Sequence, residues 1–279
     1  MTGAHTRRDD MSDAILFSVH DGLARITLNR PESLNAFDAT LAREWERVTV
    51  EATSRDDVGA ILLDAAGRAF CAGGDVRAMA LTMGSGQDIR DLAEVINTGI
   101  RALTESAIPV VAAAHGTTAG GGLGILLTSD YAIVGADSRI GSLYANIGLT
   151  PDLSVSAQLA QAVGQRRALQ LVLQDRLLTA EEAREWGLVA EVVGGEDAES
   201  TAAAVRARAE EVARFWLAGA HGAYGQAKRL IRSRPERTFA QQLDEEARSI
   251  GAAFDTPEAK ARVGAFASAS RTSASKENA

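Results

Sequence analysis

Cysteine is almost absent: Cys71 is the single one in 279 residues. That excludes an internal disulfide and any zinc site built on several thiolates, and it fits a reducing, cytoplasmic setting. Aromatic residues make up only 5% of a chain that is 46% hydrophobic, so the core has to be built from Ala, Val, Leu and Ile. Positive charge is in the minority, with 29 Lys and Arg against 37 Asp and Glu and a formal net charge of -8. A phosphate backbone rewards clustered cations, so no nucleic-acid partner is expected. No stretch approaches the roughly 18 uncharged apolar residues of a membrane span, and the opening MTGAHTRRDDMSD has no apolar signal region, so no membrane partner is expected either. The mononucleotide pattern G-x-x-x-x-G-K-[ST] is missing, and Gly120–Gly124 does not spell G-x-G-x-x-G.

The pattern that is present predicts an α/β fold. Two β-rich runs, Ile15–Val19 and Leu23–Leu28, flank the turn His20-Asp21-Gly22. Asp38 is placed to cap a helix whose Leu41, Trp45, Val48 and Ala52 recur at helical spacing. A strand over Gly59–Leu63, a helix carrying Ile89, Leu92, Ile96, Ile100 and Leu103, and a buried strand over Val110–Ala114 follow. Leu81–Asp88 reads as a mobile loop. Beyond it come a helix over Gly121–Ser129, strands near Tyr131–Val134 and Arg139–Ser142, and helices over Leu153–Val163 and Arg166–Leu173. Thr179 and Glu182 form a capping box for a helix that stops at Gly187, and Leu188–Val193 is the last expected strand. After Gly194-Gly195 the strand signal gives way to Ala/Arg/Glu-rich helical pattern. The expected organisation is a frayed tail over residues 1–12, a core over 13–195, a helical region over 196–266 and a second frayed tail over 267–279.

Glycine is used in clusters. Ala69-Phe70-Cys71-Ala72-Gly73-Gly74-Asp75 and His115-Gly116-Thr117-Thr118-Ala119-Gly120-Gly121-Gly122-Leu123-Gly124 each follow a short apolar strand, and the second leads into a helix. Bare glycines at a helix start leave backbone N–H groups open to an anion or a polarised carbonyl oxygen. One such cluster is explained by tight strand-helix packing alone. Two can converge on a single oxygen, as an oxyanion hole requires.

Together with Leu28-Asn29-Arg30-Pro31-Glu32-Ser33-Leu34-Asn35-Ala36 and Leu178-Thr179-Ala180-Glu181-Glu182-Ala183-Arg184-Glu185-Trp186-Gly187-Leu188-Val189, these segments resemble the successive signatures of the crotonase (enoyl-CoA hydratase/isomerase) superfamily, over about residues 14–266. The resemblance implies a spiral of ββα turns followed by a helical trimerisation region, in trimers or dimers of trimers. It implies an acyl-CoA substrate, with coenzyme A entering as part of the thioester and no separate cofactor or metal. The thioester oxygen would be held by the N–H groups of Gly74 and Gly121. Ala72 would lie near the adenine, flanked by Gly73 and Gly120. Arg30, Ser33 and Ala36 belong to the segment lining the pantetheine and phosphate path. Lys260, Phe266 and Arg271 are candidates for covering the nucleotide of a neighbouring subunit.

The chain departs from the hydratase pattern at both acid/base positions, where Gly124 and Tyr144 stand in place of glutamates. Each such group contributes about 10²–10⁴ in rate, so ordinary hydration is not expected. Asp152 lies eight residues beyond Tyr144, where isomerases that this chain resembles carry their acting carboxylate. One base suffices to move a proton between two carbons of an enolate. Asp152 also reads as an N-cap for the helix that follows. Tyr144 is either a packed aromatic or a hydrogen-bond donor to substrate. Cys71, His115, Asp75 and Asp130 read as structural. The expected activity is acyl-CoA isomerisation; a non-catalytic acyl-CoA binder and an atypical hydratase are the alternatives.

Overall fold

The computed structural model describes residues 14–174 and 176–277, with side chains described as far as Ser268. The tail expected over residues 1–12 lies outside the described residues. Strands β1 (Ile15–His20) and β2 (Leu23–Leu28) form the expected hairpin. From there the chain repeats one unit. Each turn lays a strand into a large sheet, a shorter strand into a second sheet, and then a helical segment outside.

The large sheet holds β3 (Ala60–Ala65), β5 (Val110–Ala114), β7 (Tyr131–Gly135) and β10 (Glu191–Val193), in the order β1-β2-β3-β5-β7-β10. From β2 onward its pairings are parallel. The second sheet is built from three-residue strands, β4 (Ala69–Cys71), β6 (Thr117–Ala119), β8 (Arg139–Gly141) and β9 (Leu177–Thr179), in that order. Strands so short carry no period of their own, and β9 had no signal in the sequence. The expected strand over Leu188–Val193 shrinks to β10, because Leu188 instead closes the preceding helix, its N–H donating to the Ala183 carbonyl.

Helix α1 (Ala39–Ser54) starts where Asp38 accepts the Thr40 and Leu41 amides. It buries Leu41, Trp45, Val48 and Ala52, the face read from the spacing. Two helices, α2 (Val76–Thr82) and α3 (Gly86–Glu105), replace the long loop expected over Leu81–Asp88. Asp75 caps the first, and a Ser85/Asp88 capping box starts the second, so only Met83–Ser85 separates them. α3 packs on α1 at Gly99, where an added Cβ would lie 2.3 Å from Trp45 Nε1. The next helices are α4 (Gly121–Leu127), α5 (Val155–Val163), α6 (Gln165–Gln174) and α7 (Ala180–Glu185). The last has the expected Thr179/Glu182 box.

The C-terminal region is all helix: α8 (Ala198–Ala218), α9 (His221–Arg232), α10 (Phe239–Phe254) and α11 (Pro257–Glu277). α11 continues to Glu277 and does not end near Phe266. α8 covers the outer face of the large sheet with Val205, Ala209, Val212 and Ala213. α9 is tied to the core through Lys228, whose buried ammonium donates to the Leu103 and Ile108 carbonyls and pairs with Asp130 at 3.1 Å. Burial holds the Lys228 pKa below its ordinary value. No helix among the described residues is long and apolar enough to cross a membrane.

Candidate active site

The two glycine clusters come together because β4 and β6 are parallel neighbours in the second sheet, so the chain that leaves each strand emerges on the same side. Gly73 has φ +104, and a Cβ there would sit 2.9 Å from the Ala119 carbonyl oxygen and 3.1 Å from the Gly121 nitrogen. Only glycine fits a backbone with that angle and that approach. The next residue, Gly74, forms an isolated parallel bridge with Phe37. Phe37 donates to the Gly73 carbonyl at 2.7 Å and accepts the Asp75 amide at 2.9 Å. That alternation turns the Gly74 N–H away from Phe37.

Gly121 opens α4 after Gly120 at φ +53, so its N–H is among the first-turn amides that no helical carbonyl can reach. Among the described residues, neither the Gly74 nor the Gly121 amide has an intrachain acceptor. A Cβ on Gly121 would lie 3.8 Å from the Gly73 carbonyl carbon, the atom bonded to the Gly74 nitrogen. Both glycines line one cavity of about 480 Å³.

The opposite wall runs from Leu143 to Leu153. Its polar centre is Tyr144, whose hydroxyl donates to Asp152 Oδ1 at 2.6 Å. Burial raises the Asp152 pKa, with the Tyr144 hydrogen bond working against that rise. The tyrosine is itself raised, first by burial and then by the adjoining carboxylate. Asp152 is the one carboxylate among the described residues lining the cavity. The expectation that it caps the following helix is corrected. α5 begins at Val155 with Ser154 at the cap position, and Asp152 contributes only its main-chain carbonyl to the Val155 amide. Its carboxylate is left for the cavity.

Leu153 and Ser154 both adopt left-handed backbone, at φ +47 and +69. Each such residue costs about 1–2 kcal/mol. The strained turn presses the Leu153 carbonyl against Gly124, where an added Cβ would come within 2.2 Å of the oxygen. Gly124 is therefore a position with no room for a side chain, beyond being one without a carboxylate.

The remaining lining is mostly apolar: Phe37, Met79, Ile89, Leu92, Ile96 and Ile147 contribute to it, with Asn146 and Thr150 polar and Arg90 the one cation among the described lining residues. The α3 residues were legible as a helix face, yet nothing in their spacing separated cavity wall from core. Ala72 and Gly120 line the cavity, and Gly73 is buried and is not part of the lining. Arg30, Ser33 and Ala36 do not line it. The Arg30 guanidinium turns inward to Asp38 at 3.0 Å, Asp75 at 3.4 Å and the Ala36 carbonyl at 2.6 Å. A cation so engaged is a brace for its loop and has little left for a phosphate. Asn35, which sequence reasoning passed over, anchors the same loop by donating to the Ala66 and Ala69 carbonyls.

Lys260 and Phe266 lie on α11 and do not reach this cavity within the chain. Arg271 falls where side chains are not described. Cys71 is fully buried, and its thiol is pushed up to about 12, which makes it inert. His115 is buried with Nε2 on the Gly67 carbonyl, and Asp130 holds the Val110 amide, both structural as expected.

Comparison with known proteins agrees with the fold. The family model for enoyl-CoA hydratase/isomerase matches residues 18–272. The 1,2-epoxyphenylacetyl-CoA isomerase of Escherichia coli (strain K12) is 30% identical, over 84% of this chain and 87% of its own. A protein of Rhizobium meliloti (strain 1021) described as a probable enoyl-CoA hydratase is 31% identical, over 91% and 95%. Among solved structures, the enoyl-CoA hydratase/isomerase from Cupriavidus metallidurans CH34 superposes with a TM-score of 0.81 at 29% identity, covering 92% of this chain and 94% of that one.

Proposed function

This chain belongs to the enoyl-CoA hydratase/isomerase family of the crotonase superfamily, and on that premise we propose that it is an acyl-CoA isomerase working through an enolate. The observation that carries the reading is the pairing of one cavity-facing carboxylate, Asp152, with two unclaimed main-chain amides, Gly74 and Gly121, across a single apolar cavity.

The thioester carbonyl oxygen accepts from both amides. Asp152 takes a proton from the carbon that flanks the double bond; the C–H electron pair moves into the enolate, and its charge collects on the held oxygen. One well-placed donor of this kind contributes about 3–4 kcal/mol. The carboxylic acid then returns the proton to the far carbon, and the double bond has moved with no change in composition. The raised Asp152 pKa suits this task, because a stronger base removes a weakly acidic carbon-bound proton more readily. The resemblance of the E. coli relative, named for an isomerisation, supports the same reading.

The working unit is proposed to be a trimer or a dimer of trimers. The C-terminal helices leave Phe239, Ile250, Phe254 and Phe266 largely exposed, and apolar surface of that extent marks an interface. Lys260 and Phe266 then have a route to a neighbour's nucleotide that the single chain does not offer.

The test is conversion of 3-enoyl-CoA esters to their 2-enoyl isomers, followed by chromatography of products of unchanged mass. Asp152→Ala is expected to lose turnover by about 10²–10⁴ while Asp152→Glu keeps a measurable part of it. Unchanged turnover in Asp152→Ala removes that residue from the mechanism. Tight acyl-CoA binding without turnover selects the non-catalytic reading, which the closed-off Gly124 favours. Conversion of crotonyl-CoA to its 3-hydroxy product well above background selects the atypical hydratase.

A further inference from the structure

Leu153 stands between the amide that would hold the substrate oxygen and the position that would hold a second carboxylate. Its Cδ1 lies 2.7 Å from where a Gly121 Cβ would be, and its carbonyl oxygen lies 2.2 Å from where a Gly124 Cβ would be. The residue is 5% exposed and keeps a left-handed backbone at φ +47, which glycine adopts without penalty and leucine does not. That backbone holds a branched apolar side chain one residue beyond Asp152, against Gly121 and Gly124. Hydration needs a water held near the carbons being attacked, and a two-carboxylate site supplies polar groups to hold it. Here the Leu153 carbonyl takes the space that a Gly124 side chain would need, its isobutyl group lies against Gly121, and no polar side chain projects from Gly124.

Resting on the isomerase reading above, we propose that Leu153 determines reaction specificity by keeping water from Asp152, so that the carboxyl hands back the proton it removed. The step balances within the substrate. The proton leaves one carbon, rides on Asp152 and returns to another, with water neither consumed nor exchanged. Where water reaches the carboxyl, the substrate-derived proton is traded for one from solvent before it returns. Hydroxide formed by Asp152 taking a proton from water can also add to the 2-enoyl product, giving the 3-hydroxy ester after protonation of the enolate.

The experiment is turnover of a 3-enoyl-CoA in D2O at early conversion, with deuterium in the isomerised ester and the yield of 3-hydroxyacyl-CoA read by mass spectrometry. Wild type and Leu153→Met are expected to place deuterium in a minor fraction of product. Leu153→Gly, whose backbone is relaxed at this angle, is expected to raise that fraction at least twofold and to form detectable 3-hydroxy ester. Equal deuterium content in wild type and Leu153→Gly, with isomerisation intact in both, overturns the role of Leu153 and leaves the isomerase reading standing. Absence of isomerisation in the wild type overturns both. Circular dichroism of each variant confirms that a change in partition is not loss of fold.

Discussion

The two walls of the cavity solve the same backbone problem in opposite ways. On the amide side, the positive-φ positions are Gly73 at +104 and Gly120 at +53, where no side chain is present to strain. On the Asp152 side Gly148 at +72 is joined by Leu143 at +52, Leu153 at +47 and Ser154 at +69, three residues with side chains to clash. Glycine stands where two main-chain amides are left open to the cavity. Strain is tolerated where a side chain must occupy a given volume, because Leu153 packs on Gly121 and Asp152 has to face the cavity. The first wall is tuned by removing atoms and the second by adding them.

Breaking the comparison from the second wall gives the largest effect, the loss on Asp152→Ala described above. From the first wall, Gly73→Ala introduces a Cβ 2.9 Å from the Ala119 oxygen at a φ closed to alanine. Turnover is expected to fall by about 10²–10³, the cost of misplacing one oxyanion donor. Steady-state kinetics with the folded variant checks it, and an unimpaired enzyme would contradict the role given to the glycine cluster. Gly124→Glu attempts to give the first wall the carboxylate of the second. The added Cβ has no space beside the Leu153 oxygen, so the variant is expected to lose about 1–3 kcal/mol of stability and gain no hydration. Urea unfolding and crotonyl-CoA hydration measure the two outcomes, and a stable, hydrating variant would show that the turn yields.

The smallest effect sharpens the picture of the second wall. Tyr144 donates to the Asp152 carboxylate and thereby favours its charged form, so Tyr144→Phe removes a hydrogen bond that lowers the Asp152 pKa. The base acts only when ionised, and activity is lost as pH falls through that pKa. The acid limb of kcat/KM is therefore expected to lie above the ordinary carboxylate value in the wild type and to move to still higher pH in Tyr144→Phe. The plateau should change little. A limb that stays in place would mean that the 2.6 Å hydrogen bond does not persist with substrate bound.

Much of this was readable beforehand, for reasons that differ by residue. Trp45 and Val48 announce a helix face through spacing, and Asp38 and Thr179 announce helix starts through their chemistry, because both signals are local. β4, β6 and β9 were not readable in the same way, since partners from distant segments define them. The Met83–Ser85 connection looked longer than it is because capping at Asp75 and Ser85 outweighs the glycines nearby. Arg30 was singled out through its place in a motif, and only the fold shows Asp38 and Asp75 beside its guanidinium.

By itself the sequence determined the class of fold and the two glycine clusters, since each is written in contiguous residues whose local geometry follows from their type. The tertiary structure alone decided that Asp152 faces the cavity instead of capping α5, that Tyr144 holds it, and that Leu153 leaves no room at Gly124. Those relations join residues 8 and 29 positions apart along the chain. They depend on which way a strained turn points, and that is set by packing between segments and not by any one of them.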